Sequence, residues 1–94
     1  MTAYVVARVA IHDRGPYGRY AAAFMPVLQQ YGGRLLASDE QPEPLEGEDG
    51  RKLVLLAFAD KAAARAWVDS PEYQAISEDR RAGSDAIAVL VQGV

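Results

Sequence analysis

Arg80 is the residue of this chain whose chemistry most needs an explanation. Tyr73, Ile76 and Arg80 stand at positions i, i+3 and i+7 of one helical segment, so the guanidinium falls on an apolar stripe while Arg81 is rotated off it. A guanidinium brought against apolar surface must find a carboxylate, backbone carbonyls, a bound anion or a route to water. Asp69 and Glu46 are the protein acids considered for a buried pair; the other partner considered is the carboxylate or phosphate of a ligand. Trp67, Tyr17, Tyr20, Tyr31 and Tyr73 add aromatic surface. At helical spacing such residues are more often core than binding site, yet a buried tyrosine hydroxyl needs a partner. Clustered beside Arg80, they would give a pocket with apolar walls and a few polar anchors, the usual character of a small-molecule site.

The remaining candidates are weaker. Arg34 opens a short strand, and Arg8 interrupts an otherwise apolar one. If Arg8 shares the parity of Tyr4 and Val6, it points away from the side of Val5, Ala7 and Val9, and is either a lumen residue or an ion-pair partner at an interface. His12 follows beside Asp13, and a histidine with an acidic neighbour can act as a general base near neutral pH. Neighbours at a strand end point in different directions, so a solvated loop histidine is the alternative. The carboxylates Asp39, Glu40, Glu43, Glu46, Glu48 and Asp49 lack the alternating ligands and the central glycine of a calcium loop and read as a solvated acidic loop. Glu46, next to Gly47, is kept as a candidate contact. Gly32 and Gly33 follow a helix and do not precede one, so they form no phosphate-binding loop.

The elements that must carry these groups are legible from period and punctuation. Residues 4–11 (YVVARVAI) read as a buried strand. Asp13, Gly15 and Pro16 then start a helix whose face is Tyr17, Tyr20, Phe24, Leu28 and Tyr31, closed by Gly32 and Gly33. Residues 34–38 form a second strand, 39–50 a loop and 52–59 a third strand. Asp60 caps a second helix through Trp67 and Val68; Ser70 and Pro71 start a third, ended by Gly83; residues 86–91 are the fourth strand. The order β-α-β-β-α-α-β in 94 residues predicts one α+β domain spanning 1–94, a four-stranded antiparallel sheet with helices on one face in the ferredoxin-like arrangement.

Helices on one face leave the other to be explained. A sheet face in water should show alternating apolar and polar residues. Leu53 to Phe58 and Ala86 to Val91 are apolar at both parities, so a monomer would expose a large apolar face and a two-fold homodimer is expected. Composition narrows the remaining classes. Ten basic against thirteen acidic side chains give a formal charge of −3, which offers nucleic acid or anionic lipid no attraction through the overall field. No apolar run approaches the length of a membrane span, and the start Met-Thr-Ala-Tyr lacks the pattern of a signal peptide, so a cytoplasmic location is expected. With no cysteine and one histidine, disulfides, thiolate sites and polyhistidine metal centres are excluded within one subunit, and no metal or cofactor is expected.

Taken in order, Tyr17 and Tyr20, then Tyr31, Gly32, Gly33 and Arg34, then Glu46 and Gly47, then Trp67 with Ser70, Pro71, Glu72, Tyr73 and Gln74, then Arg80, Val91 and Gly93 resemble the bacterial domain-of-unknown-function family 1330 (DUF1330). The resemblance covers residues 4–94 and implies the dimeric α/β-barrel superfamily. That superfamily includes cofactor-independent monooxygenases, isomerases and haem-dependent enzymes, so it implies a fold and a dimer but no reaction. Three functions are carried forward. The leading one is binding of a small, anionic organic ligand by Arg80, Tyr73, Trp67 and Arg34, with Arg8, Glu46 and His12 nearby. The second is a cofactor-independent monooxygenase or isomerase with His12 as base. The third is an interaction module whose polar residues only hold a dimer.

Overall fold

The computed structural model describes residues 1–47 and 49–94. Its elements are β1 (Ala3–Ile11), α1 (Arg14–Gln30), β2 (Arg34–Asp39), β3 (Lys52–Phe58), α2 (Lys61–Asp69), α3 (Pro71–Gly83) and β4 (Ser84–Gln92). The strands form one antiparallel sheet in the order β2-β3-β1-β4. This is the α+β, ferredoxin-like arrangement that the order of elements predicts. No helix among the described residues is long and apolar enough to cross a membrane.

The helix boundaries follow from local chemistry. The Asp13 carboxylate accepts from the Gly15 amide at 3.0 Å, and Asp60 accepts from the Ala63 amide at 2.8 Å, each satisfying a donor that a helix start leaves free. Ser70 does two jobs. Its hydroxyl donates to the Trp67 carbonyl at 2.7 Å and accepts from the Tyr73 amide at 3.0 Å, so one side chain ends α2 and begins α3. Pro71 follows at the first helical position, where its missing amide hydrogen is not needed. The first helix continues through Pro26 to Gln30, and Gly32 then takes the positive φ of 75° that turns the chain toward β2.

Strand register assigns every residue to one of two faces. Ala7 lies between Val54 and Ala88, Val5 between Leu56 and Leu90, and Val9 between Lys52 and Ala86. These residues face the helices, as the burial of Val5, Val9 and Leu56 in the core with Trp67 requires. The alternate set, with Arg8 between Leu53 and Ile87 and Val6 between Leu55 and Val89, faces away from them. The outer face is strongly apolar: Leu36, Ile87, Val89 and Val91 are all exposed there or at its edge. A bulge between Leu35 and Ala37 of β2 shifts the register against β3 near the sheet edge.

The third helix runs directly into β4 with no intervening loop, so the last strand begins at Ser84 and not at Ala86 as the apolar pattern alone predicts. Gly83 makes this junction possible. Its carbonyl accepts from the amides of His12 and Asp13 at 2.9 and 3.1 Å, and a Cβ there would stand 2.6 Å from the Asp13 carbonyl oxygen and 2.7 Å from the Tyr17 amide nitrogen. Gly18 is the contrast: it lies inside α1 with nothing within 4 Å of the position its Cβ would take. Gly83→Ala is therefore expected to destabilise by about 1–3 kcal/mol through overpacking against backbone. Gly18→Ala should stabilise by up to about 1 kcal/mol through helix propensity. Urea unfolding of the two variants checks the pair, and equal midpoints would remove the close-approach explanation for Gly83.

Candidate functional site

A cavity of about 240 Å³ lies between the helical layer and the sheet. Small side chains create it. Ala7, Ala86 and Ala88 occupy adjacent helix-facing positions of β1 and β4, where larger residues would fill the space under the helices. On the other side the packing is dense. Trp67 is 2% exposed, with its ring centroid 4.1 Å from Tyr73, 5.4 Å from Phe58 and 6.1 Å from Phe24. Tyr20 continues the aromatic wall, 5.6 Å from Phe24, 5.7 Å from Tyr17 and 6.2 Å from Tyr73 between ring centroids.

The polar groups of this cavity are few and of one sign. Arg80 from α3 and Lys52 from β3 line it, and among the described residues no carboxylate does. Lys52 Nζ donates to the Tyr17 hydroxyl at 3.1 Å and stands 5.0 Å from the centroid of the same ring. Tyr20 and Tyr73 hold each other's hydroxyls at 3.0 Å. Burial pushes the Tyr20 phenol far above the ordinary tyrosine range; neighbouring Tyr73 adds to the rise and the Arg80 guanidinium opposes it. Two buried donors, Arg80 Nε and Trp67 Nε1, have no hydrogen-bond partner among the described residues. A buried donor without a partner costs about 1–3 kcal/mol, so two of them on residues lining one cavity are unusual in a settled core.

Of the residues singled out from the sequence, Arg80, Tyr73 and Trp67 come together in this cavity. Neither acid considered for Arg80 pairs with it: Asp69 is held by Arg65 at 3.0 Å within α2, and Glu46 is exposed on the loop before β3. Arg34, Arg8, Glu46 and His12 lie elsewhere. Arg34 is in register with Ala57 on the outer face, exposed at the start of β2. Arg8 is also outward, as its parity implies, and is bound to Asp49 at 2.9 Å. His12 is exposed, with Nε2 4.0 Å from the exposed Asp85 carboxylate, while neighbouring Asp13 is engaged in capping α1. Lys52 was hidden because it opens β3 among apolar neighbours. Its parity with Val54 and Leu56, and the three inward alanines, are the signals that point to it.

A second, larger concavity of about 670 Å³ is lined by Arg8, Leu53 and the acidic loop, including Glu40, Glu43, Glu46 and Asp49. Two of its acids, Glu40 and Asp49, are already paired with arginines. Glu40 accepts from both terminal nitrogens of Arg14 at 2.8 Å, and that bond holds its carboxyl below the usual carboxylate range. Asp49 is likewise lowered, first by the Arg51 amide and then by Arg8. Among the described residues no group of carboxylates is arranged to hold a metal ion; Glu48, one of the acids named from the sequence, lies outside them. Size favours this groove, but unsatisfied chemistry favours the smaller cavity.

The sequence profile of the family described as "Domain of unknown function (DUF1330)" matches residues 2–94. The chain belongs to DUF1330. No curated protein matches it by sequence. Among solved structures, a protein of unknown function from Rhodopseudomonas palustris is similar at 16% identity and a TM-score of 0.82, over 99% of this chain and 82% of that one. A dimeric ferredoxin-like protein of unknown function from Jannaschia sp. CCS1 is similar at 19% identity and a TM-score of 0.70, covering 99% and 100%. SnoaB, a cofactor-independent oxygenase from Streptomyces nogalater, is similar at 17% identity and a TM-score of 0.63, covering 99% and 93%. At these identities the likeness shows the fold alone.

The buried phenol gives this DUF1330 chain a measurable alkaline signature. Tyr20 holds its proton more tightly folded than unfolded, so its contribution is complete below the unfolded tyrosine range, near pH 10, and is lost as pH rises beyond it. The slope for one such group is about 1.4 kcal/mol per pH unit. Tyr20→Phe is expected to be less stable at neutral pH, because Tyr73 loses its partner, but to show a shallower alkaline decline by about one proton. Urea midpoints collected between about pH 9 and pH 11.5 check this, and an unchanged slope would show that Tyr20 ionises without unfolding.

Proposed function

We propose that this protein binds a small anionic organic molecule in the cavity between helices and sheet. The observation that carries the reading is a charge imbalance: Arg80 and Lys52 line the cavity, and among the described residues no carboxylate does. A ligand carboxylate, enolate or phosphate would supply what the protein withholds. The volume of about 240 Å³ lies below the usual range for drug-sized ligands and suits a single-ring compound. The aromatic wall of Trp67, Phe24 and Tyr20 favours a planar apolar body behind the anionic group. Neither acid considered as a structural counter-charge for Arg80 pairs with it: Asp69 is engaged by Arg65 and Glu46 is exposed.

Trp67 is the sole tryptophan, so its fluorescence reports on the cavity directly. Titration with aromatic carboxylates is expected to change its emission saturably. Arg80→Gln should weaken affinity by roughly tenfold or more, the scale of one charge-assisted hydrogen bond. Ala7→Leu, which fills the floor between Val54 and Ala88, should abolish the response while thermal stability holds. Unchanged affinity in both variants would place any binding elsewhere.

We further propose that the working unit is a homodimer formed through the outer sheet face. Ile87, Val89 and Val91 of β4 are 48%, 53% and 43% exposed on that face, and Leu36 is 46% exposed. A contiguous apolar surface of this kind is what a two-fold partner sheet would cover. Sedimentation equilibrium is expected to give a dimer at micromolar concentration, and Val89→Asp to convert it to monomer. A wild-type monomer under those conditions would refute the assembly.

A further inference from the structure

We propose that Tyr17, held by Lys52, is the proton-transfer group of the cavity, acting on an enolisable aryl 2-keto acid whose carboxylate Arg80 receives. The proposal rests on the anionic-ligand reading and adds a substrate class and a step to it. Hydrogen-bond direction is its foundation. An ammonium can only donate, so in the 3.1 Å contact Lys52 gives the proton and the Tyr17 oxygen accepts it. The Tyr17 hydroxyl proton is thereby left to donate elsewhere, and it has no acceptor among the described residues. The other tyrosines of the helical layer are engaged differently: Tyr20 and Tyr73 bond each other, and Tyr31 donates to Glu72 at 2.7 Å. Tyr17 is 5% exposed and lines the same cavity as Arg80.

Three features of a ligand follow from where these groups come from. Arg80 on α3 suits a carboxylate, the rings around Trp67 suit an aryl group, and Tyr17 suits an oxygen or carbon atom that exchanges a proton. An aryl 2-keto acid joins all three within a few bonds. In the direction from enol to ketone, the Tyr17 O–H bond breaks and its proton forms a new C–H bond at C3, using the electron pair of the C2=C3 double bond. The enol oxygen on C2 releases its proton to water as the C2=O bond forms. The phenolate left on Tyr17 faces the Lys52 ammonium, which stabilises the developing charge, and is reprotonated from water. Enolisation runs the same steps in reverse. The net change is an isomerisation, with no oxidant or reductant. Tyr17 is the catalytic residue of this scheme and Lys52 a positioning residue that acts through it.

Phenylpyruvate is the probe. Loss of enol absorbance and exchange of its C3 hydrogens in deuterium oxide measure turnover, while Trp67 fluorescence measures binding separately. Wild-type protein is expected to accelerate ketonisation by roughly a hundredfold or more over buffer. Tyr17→Phe should still bind and should lose the acceleration. Lys52→Met should lower kcat by more than it raises KM, and Lys52→Arg should recover most of the rate. Saturable binding by wild type without acceleration, or full turnover by Tyr17→Phe, would overturn the proton-transfer assignment and leave the binding site standing. No fluorescence response from wild type would instead remove the anionic-ligand reading beneath it.

Discussion

The packing of one indole organises the helical layer. Trp67 reaches from α2 to touch rings from α1, β3 and α3, so the positions of three helices against the sheet are set by contacts to a single side chain. Ser70 reinforces this from the backbone by bonding the Trp67 carbonyl and the Tyr73 amide, which fixes the turn between α2 and α3 and therefore the angle at which Tyr73 meets the indole. Truncation of a buried tryptophan to alanine costs about 3–5 kcal/mol, a large fraction of what holds a domain of this size together. Arg80 lies farther along the same helix as Tyr73, so its place in the cavity depends on that anchoring as well.

Dense packing on the Trp67 side is matched by sparse packing over β4. Ala7, Ala86 and Ala88 place small side chains next to one another at inward positions, and the space they leave lies beside the aromatic wall. A core built only for stability would fill such a gap with Leu or Ile, since dispersion contacts are forfeited wherever a void remains. The same strands carry large residues outward, Ile87, Val89 and Val91 on β4. Along this part of β4 the usual preference is inverted: Ala86 and Ala88 face the helices while Ile87, Val89 and Val91 face away. An apolar outer face and a cavity on the inner face are two results of one alternation of residue size along β4.

Much of the fold was legible because period, caps and glycines agreed. Asp13, Asp60 and Ser70 mark helix starts by side-chain chemistry that depends only on neighbours in sequence, and each caps the helix that the pattern assigns to it. Arg80, Tyr73 and Trp67 were legible for a related reason, since two of them share a helical face and the third precedes that helix within one turn-connected segment. Arg34 and Glu46 entered through resemblance to a family pattern, and Arg8 and His12 as polar residues on or just after β1; none of these signals specifies which face of the sheet a side chain meets. Lys52 was invisible for the opposite reason. Its partner, Tyr17, is 35 residues away in sequence, and only strand register brings the two together.

The two concavities show why charge satisfaction is a better guide to chemistry than size. In the groove under the acidic loop, Arg8 meets Asp49 and Arg14 meets Glu40, so a ligand would have to displace partners already in place. Exposed pairs of this kind contribute little to stability, and with Glu43 and Glu46 also lining the groove its field disfavours an anion. In the inner cavity Lys52 faces the Tyr17 phenol oxygen and ring, which solvate positive charge without cancelling it. Such an environment raises the potential at the cavity centre while keeping its walls apolar. An anion entering it would meet Arg80 and Lys52 without breaking an ion pair among the described residues, so binding there would be selective for negative charge.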